Sequence, residues 1–220
     1  MPEPRIWHLA DTHFRHRNCG VKWRGFDTIE DHDQHIIDRC RTLIAPGDTV
    51  IHHGDVGMGS TTAILDLAAR IPGRLELVAG NHDPCHPMNR GPRWTPGKWD
   101  RILAKWGEVF ATVTVLDWRE IAGQPVMMSH LPYAGDHTAE DRCSRWRPRD
   151  EGDWLLCAHV HAAWLIHGRQ VNVGVDQWGM GPVPEDLLRH VIAGVEAPGE
   201  LYQIRERWLA ETGARAPVGV

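Results

Sequence analysis

Asp11-Thr12-His13, Gly54-Asp55, Gly80-Asn81-His82-Asp83, His130 and His159-Val160-His161 punctuate this chain, each just after a short apolar run. Their carboxylates, imidazoles and one amide oxygen are the donors that a hard or borderline divalent metal ion takes. Asp11 and His13 are two residues apart, so on an extended segment both project to one side, and His159 and His161 repeat that spacing. Asp55 follows a glycine at the end of a strand, where a carboxylate can bridge two ions. Asn81 follows another glycine and offers a neutral oxygen. With 15 histidines in the chain, isolated ones carry little weight. His8, His52 and His53 read as core or supporting residues within strands, and His32 and His35 as surface residues of a helix.

The elements that must position these donors can be read from periodicity. Arg5 to Ala10 is a first strand. Helical spacing of Ile29, Ile36, Ile37, Cys40, Leu43 and Ile44 predicts a helix over 27–44, with Asp27 and Glu30 as its capping pair and Ala45-Pro46-Gly47 as its stop. Thr49 to His52 is a second strand, Thr61 to Arg70 a second helix, and Leu75 to Ala79 a third strand. This alternation argues for a parallel sheet with helices on its faces, and in such sheets sites gather at the carboxyl ends of the strands. Further on, strands are expected at 109–116, 125–129, 154–157, 162–166 and 170–173, forming a second, more antiparallel sheet packed on the first. Helices are expected at 184–192 and 201–212. The segments 84–97 and 132–152 show no pattern; loops of that length are uncommon unless functional or disordered, and both follow site residues.

Composition narrows the choices. A formal net charge of −5 sets no whole-protein positive field for nucleic acid polymers or anionic membranes. The five cysteines are scattered, with no Cys-x-x-Cys pair, so neither a disulfide framework nor a thiolate zinc site is suggested. No run approaches the roughly 18 apolar residues of a membrane span, and Met1 to Ala10 does not read as a signal segment. A cytoplasmic, unanchored protein is expected, with no linker dividing 1–220 into two domains.

The motif set resembles the calcineurin-like metallophosphoesterase superfamily, whose pattern is Asp-x-His, Gly-Asp, Gly-Asn-His-Asp/Glu, a lone His and Gly-His-x-His. The match spans 11 to 161. The run from Asp11 to Asn18, with Asn172-Val173-Gly174-Val175-Asp176, is similar to small bacterial and phage-encoded members. That resemblance implies an α/β fold of two mixed β-sheets packed as a sandwich and flanked by helices. The site would lie at strand C-terminal ends in a single domain over 1–220, whose last eight or so residues form a loose tail. It implies two divalent ions about 3.5–4 Å apart, one held by Asp11, His13, Asp55 and His161, the other by Asp55, Asn81, His130 and His159. It implies attack on phosphorus by a metal-bridging hydroxide, with His82 as general acid and Asp83 holding its ring. Mn²⁺ is the family habit; Fe, Zn²⁺, Co²⁺ and Ni²⁺ suit the same donors. Ala158 stands where the family has glycine, and if that position takes a positive φ, alanine would tilt His159.

Substrate contacts are expected from His16, Arg15, Asn81 and Asn172, with Arg17 and Asn18 on the same segment as His16. Of the 11 tryptophans, Trp94, Trp99, Trp146 and Trp178 fall in or beside the expected rim. Arg142, Arg145, Arg147 and Arg149 read as a solvated loop. Protein phosphatases of this superfamily carry Gly-Asp-x-x-Asp-Arg-Gly; here Gly54-Asp55-Val56-Gly57-Met58-Gly59 has no arginine. A small phosphodiester, with 2′,3′-cyclic nucleotides foremost, is the leading substrate class. The alternatives are a nuclease trimming short single strands or RNA ends, and a non-catalytic scaffold of the same fold. The partners expected are a small phosphodiester or nucleotide, without extended duplex DNA or membrane, for a monomer or homodimer in the host cytoplasm if the chain is phage-encoded.

Overall fold

In the computed structural model, which describes residues 3–92, 94–194 and 197–214, the first strands are β1 (Ile6–Leu9), β2 (Thr49–His52), β3 (Arg74–Val78) and β4 (Val113–Thr114). They are followed by β5 (Asp117–Ile121), β6 (Gln124–Met128), β7 (Trp154–Cys157), β8 (Ile166–His167), β9 (Gln170–Asn172) and β10 (Val183–Pro184). The helices are α1 (Ile29–Leu43), α2 (Thr61–Ala68), α3 (Pro96–Trp106), α4 (Glu185–Ile192) and α5 (Leu201–Glu211).

One sheet runs β10-β1-β2-β3-β4, parallel except for β10; the other runs β5-β6-β7-β9-β8. Period-two burial sets how they pack. Trp7, Leu9, Val50, Leu75 and Leu77 point to the helical face, where Ile36, Ile37, Cys40 and Ile64 meet them. Ala10, Ile51 and Val78 point the other way and share a core with Val126, Met128, Leu156 and Val171 of the second sheet. This is the sandwich of two mixed sheets with flanking helices that the resemblance implies. Leu188, Val191, Leu201 and Ile204 bring α4 and α5 against the same inter-sheet core.

Several elements depart from expectation. The second sheet has a parallel centre, β6-β7-β9, with antiparallel pairs only at its margins. The reason lies in the 129–153 segment, which is a crossover between parallel strands rather than a hairpin loop. Of 109–116, only Val113–Thr114 pairs, and it pairs with β3 in the first sheet. The polar strand β5 takes the edge instead, turning into β6 through Ala122 (φ 53°) and Gly123 (φ 74°), the left-handed pair that a tight hairpin requires. Of 162–166, only Ile166 is in a strand. The α1 cap sits one residue late: Thr28 Oγ1 accepts the Asp31 N–H at 3.0 Å. Pro96 and Gly97, read as loop, instead open α3 behind an N-cap at Thr95. Of the expected tail, 215–220 lie outside the described residues. Among the described residues, no helix is long and apolar enough to cross a membrane.

Candidate metal centre

The parallel ladder does not stop where the strands do. Asp11 N donates to Gly54 O, His13 N to Asp55 O and Phe14 N to Val56 O, each near 3.0 Å. The segment after β1 is thereby laid against the segment after β2, past the carboxyl end of the sheet. It is not extended, however. Asp11 (φ 54°), His13 (φ 46°), Asp55 (φ 53°), His159 (φ 70°) and His161 (φ 48°) all lie in the left-handed region. The expected two-residue alternation of an extended strand is replaced by a left-handed backbone at each alternate residue. Between Asp11 and His13, Thr12 turns inward and bonds Val56 O at 2.8 Å. Such conformations cost roughly 1–3 kcal/mol each and cluster at functional sites.

Close approach of two glycines sets the centre. A Cβ on Gly54 would stand 2.2 Å from Gly80 N, and one on Gly80 would stand 2.3 Å from Asp55 Oδ1. Only there can the turns after β2 and β3 touch, bringing Asp55 beside Asn81 and His82. Asp83 binds them: its carboxylate accepts the N–H groups of Gly80 (2.7 Å), Asp55 (2.9 Å) and Val56 (3.0 Å). This corrects the implied role of Asp83. Both of its oxygens face backbone donors, so it clamps two turns and does not hold the His82 ring. Burial and the nearby Asp55 charge lift Asp83 to about 7, against the pull of those N–H donors.

Asp55 lies at the middle. Its Oδ1 accepts His82 N at 2.8 Å, and its Oδ2 lies 3.4 Å from His130 Nε2, 3.7 Å from His13 Nε2 and 3.9 Å from His82 Nε2. Burial opposes its charge, yet His130 and His13 hold it well below the usual carboxylate range. Asn81 Oδ1 is 3.0 Å from His130 Nε2. The ligand atoms of Asp11, His13 and His161 lie within 4.8 Å of one another, as do those of Asp11, Asp55 and His130. His159 closes the set: its N–H donates to Asp11 Oδ2 at 3.1 Å, and its ring centroid is 5.4 Å from that of His130.

These donors fit divalent cations. Asp11 Oδ1 and both ring nitrogens of His13 are buried with no hydrogen-bond partner, a costly arrangement unless a cation completes it. Burial holds His13 neutral, as a ligand must be. The other rings have supports that fix which nitrogen is free. His130 Nδ1 donates to His53 O at 2.7 Å, leaving Nε2. His161 Nδ1 donates to Asp176 at 2.9 Å, also leaving Nε2. His159 Nε2 donates to Asp136 at 2.9 Å, leaving Nδ1. Burial drives His159 down to about 3, while His130, although buried, is raised to about 9 by Asp55.

Asp136 and Asp176 escaped the sequence reading, as did Arg24. Buried Arg24 holds Asp176 through two bonds of 2.8 and 2.6 Å and caps Asp11 O at 2.7 Å. His32, expected on the surface, is fully buried beneath it, with Nε2 2.9 Å from the guanidinium and Nδ1 on Asp33. Asp176 lay within the Asn172–Asp176 run, so a signal existed; Arg24 belongs to no motif. Asp136 lies in the 132–152 segment, which is a folded structure and not a solvated loop: Arg142 grips Asp136 at 2.9 Å, and Arg147 bonds Pro132 O at 3.0 Å.

The expected substrate contacts divide. His16 faces the centre, its ring 5.3 Å from His13, with Nδ1 accepting Cys19 N. Arg15 is exposed and held through its N–H to Asp33; Arg17 and Asn18 are exposed also. Asn172 is fully buried: its amide donates to His161 O and Trp164 O and accepts Gly174 N. It shapes the loop bearing His161 and does not face substrate. Trp178 is buried, its indole N–H on Asn172 O, and so is no part of a rim. Ala158 is not among the residues of positive φ. The strain falls on His159 after it, where Val160 N closes a three-residue turn on Ala158 O at 2.8 Å, so alanine is accommodated.

Residues 5–177 match the calcineurin-like phosphoesterase superfamily domain, and the chain belongs to that superfamily. It is thus a metal-dependent phosphoric ester hydrolase in class, as the donor set also indicates. Among its relatives are the Gene 66 protein of Mycobacterium phage L5, 35% identical over 84% of this chain and 94% of the relative, and the Gene 66 protein of Mycobacterium phage D29, 34% identical over 87% and 97%. A protein of unknown function from Aquifex aeolicus shares the fold, with a TM-score of 0.60 and 21% identity over 86% of this chain and all of that one.

Proposed function

We propose that this protein is a phosphodiesterase for small nucleotide diesters, 2′,3′-cyclic nucleotides foremost. One observation carries the choice of diester over monoester. Among the described residues, Arg24, which bonds Asp11 O, and Arg142, which bonds the Asp136 that supports His159, are each paired with a carboxylate, Asp176 and Asp136. A dianionic monoester calls for a further free cation on the phosphoryl oxygens; a monoanionic diester does not, and the cations Arg90 and Lys98 line a cavity beside His82 that includes none of the metal donors.

Asp11, His13, Asp55 and His161 would hold one divalent ion and Asp55, Asn81, His130 and His159 the other, with Mn²⁺ as the working choice. When bound, such ions polarise the phosphoryl group and supply an activated water. The chain's own part is orientation and proton transfer. Asp55 faces both donor sets, and the Nδ1–H bonds of His130 and His161 fix the nitrogens they present. His82, 35% exposed with its Nε2 on the open side of Asp55, donates the proton to the leaving oxygen.

The test is turnover by metal-stripped protein resupplied with Mn²⁺. Bis-p-nitrophenyl phosphate should be hydrolysed faster than p-nitrophenyl phosphate, and 2′,3′-cAMP should be a substrate; a clear monoester preference refutes the reading. His82→Ala should lower turnover of 2′,3′-cAMP about 10²-fold or more while sparing metal content. An unchanged rate there removes the acid role.

A further inference from the structure

A cavity of about 510 Å³ opens beside His82, outside the metal donors. Its size falls within the roughly 300–1,000 Å³ of small-ligand sites. Its walls include Arg90, Trp94, Lys98 and Trp99, with no Asp or Glu among the described lining residues. In a chain of net charge −5, a cationic lining is a local choice. The Arg90 guanidinium stacks on both indoles, 4.2 Å from the Trp99 ring centroid and 5.0 Å from that of Trp94. Three flat π surfaces therefore stand together at the side from which a proton reaches the leaving oxygen.

The wall is tied to the reacting turn. Asn89 Nδ2 donates to Asn81 O at 3.0 Å and to Asp83 O at 2.8 Å. The segment carrying Arg90 is thus bonded to the same turn that carries Asn81 and His82. A group seated against Arg90 is placed relative to the general acid, not merely near it.

We infer that this cavity seats the nucleoside of the leaving group, its base stacked on the Trp99–Arg90–Trp94 face and the neutral acceptors of the base edge met by Lys98. The inference rests on the phosphodiesterase reading above. In a 2′,3′-cyclic nucleotide the ribose bears both ester oxygens, so the nucleoside lies on the leaving-group side whichever oxygen departs. Base–aromatic stacking is worth about 1–3 kcal/mol per base, so losing one such surface should weaken binding about tenfold.

The experiment compares 2′,3′-cAMP with glycerol 1,2-cyclic phosphate, a five-membered cyclic diester without a base. Trp99→Ala and Arg90→Ala should each raise KM for 2′,3′-cAMP about tenfold, leave kcat within twofold, and leave kcat/KM for the glycerol ester unchanged. Equal losses on both esters would show a general structural effect and overturn the inference. No change on either would overturn it too, as would a KM effect confined to Trp23→Ala, which would place the nucleoside in the separate cavity lined by Trp23 and His161. Calorimetric binding of 3′-AMP, which needs no turnover, separates this inference from the reading beneath it. If the wild-type protein hydrolyses neither ester, the phosphodiesterase reading fails; the nucleoside site then stands if Trp99→Ala weakens 3′-AMP binding tenfold and falls if it does not.

Discussion

Asp136 shows how a residue outside every motif comes to govern one inside it. Its carboxylate accepts from His159 Nε2 and from Arg142, so it fixes His159 as an Nδ1 donor. On the proposed assignment of His159 to a second ion, Asp136→Asn should weaken that ion about 10–100-fold relative to the unaltered protein, read from a Mn²⁺ titration followed by electron paramagnetic resonance, with the other ion and the fold preserved. An affinity unchanged from that of the unaltered protein would mean that the bond is incidental. The candidate donors that the fold brings together were legible because metal coordination restricts residue type and local spacing. Their supports were less so: Asp176 lay in a recognisable run without a role, while Arg24 and Asp136 reach the site by folding, and a lone arginine or aspartate outside any motif carries no signature. Asp83 marks the opposite limit. Its motif was visible, but its direction was not, since the two turns it clamps are distant in sequence until Gly54 and Gly80 meet.

At the scale of elements, the β-α-β-α-β half was readable because buried parallel strands and amphipathic helices each have a period. α3 was lost because Pro96-Gly97 reads as a breaker, although proline is well suited to the first turn of a helix. β5 was lost because its edge position leaves Asp117, Arg119 and Glu120 only partly covered or exposed. One aspartate anchors the readable half. Asp48 accepts Arg5 N (2.9 Å), Trp7 Nε1 (2.8 Å) and Ala45 N (2.9 Å), while its carbonyl receives Arg74 N. It thereby joins β1, the exit of α1, β2 and β3. Asp48→Ala strands those donors and should cost roughly 2–4 kcal/mol, measured as a lower denaturant midpoint, with kcat little changed in the folded fraction. A loss under 1 kcal/mol would show that water replaces the carboxylate freely.

For the whole molecule, the two sheets share one continuous inter-sheet core, and we propose that the chain unfolds as one domain. Buried neutral histidines set the response to acid. Burial lowers His52 and His159 to about 3 and His53 well below its ordinary value. Between about pH 6.5 and pH 3 the unfolded chain therefore binds protons that the folded chain refuses, and stability is lost as pH falls through that window. The metal-free protein should show a single thermal transition whose midpoint drops steadily from pH 6.5 towards pH 4. A flat profile, or two transitions, would contradict the neutral core or the single unit respectively.

The left-handed backbone at Asp11, His13, Asp55, His159 and His161 sets stability against function in this lineage. Each of these positions would be relaxed by glycine, which enters that region without penalty. In a chain that no longer used its metals, glycine would be favoured at all of them, so drift towards glycine at 11, 13, 55, 159 and 161 would be the early mark of a descendant kept for its shape alone. Aspartate and histidine stand here against the grain of the backbone, where the donor set proposed for the metals needs their side chains.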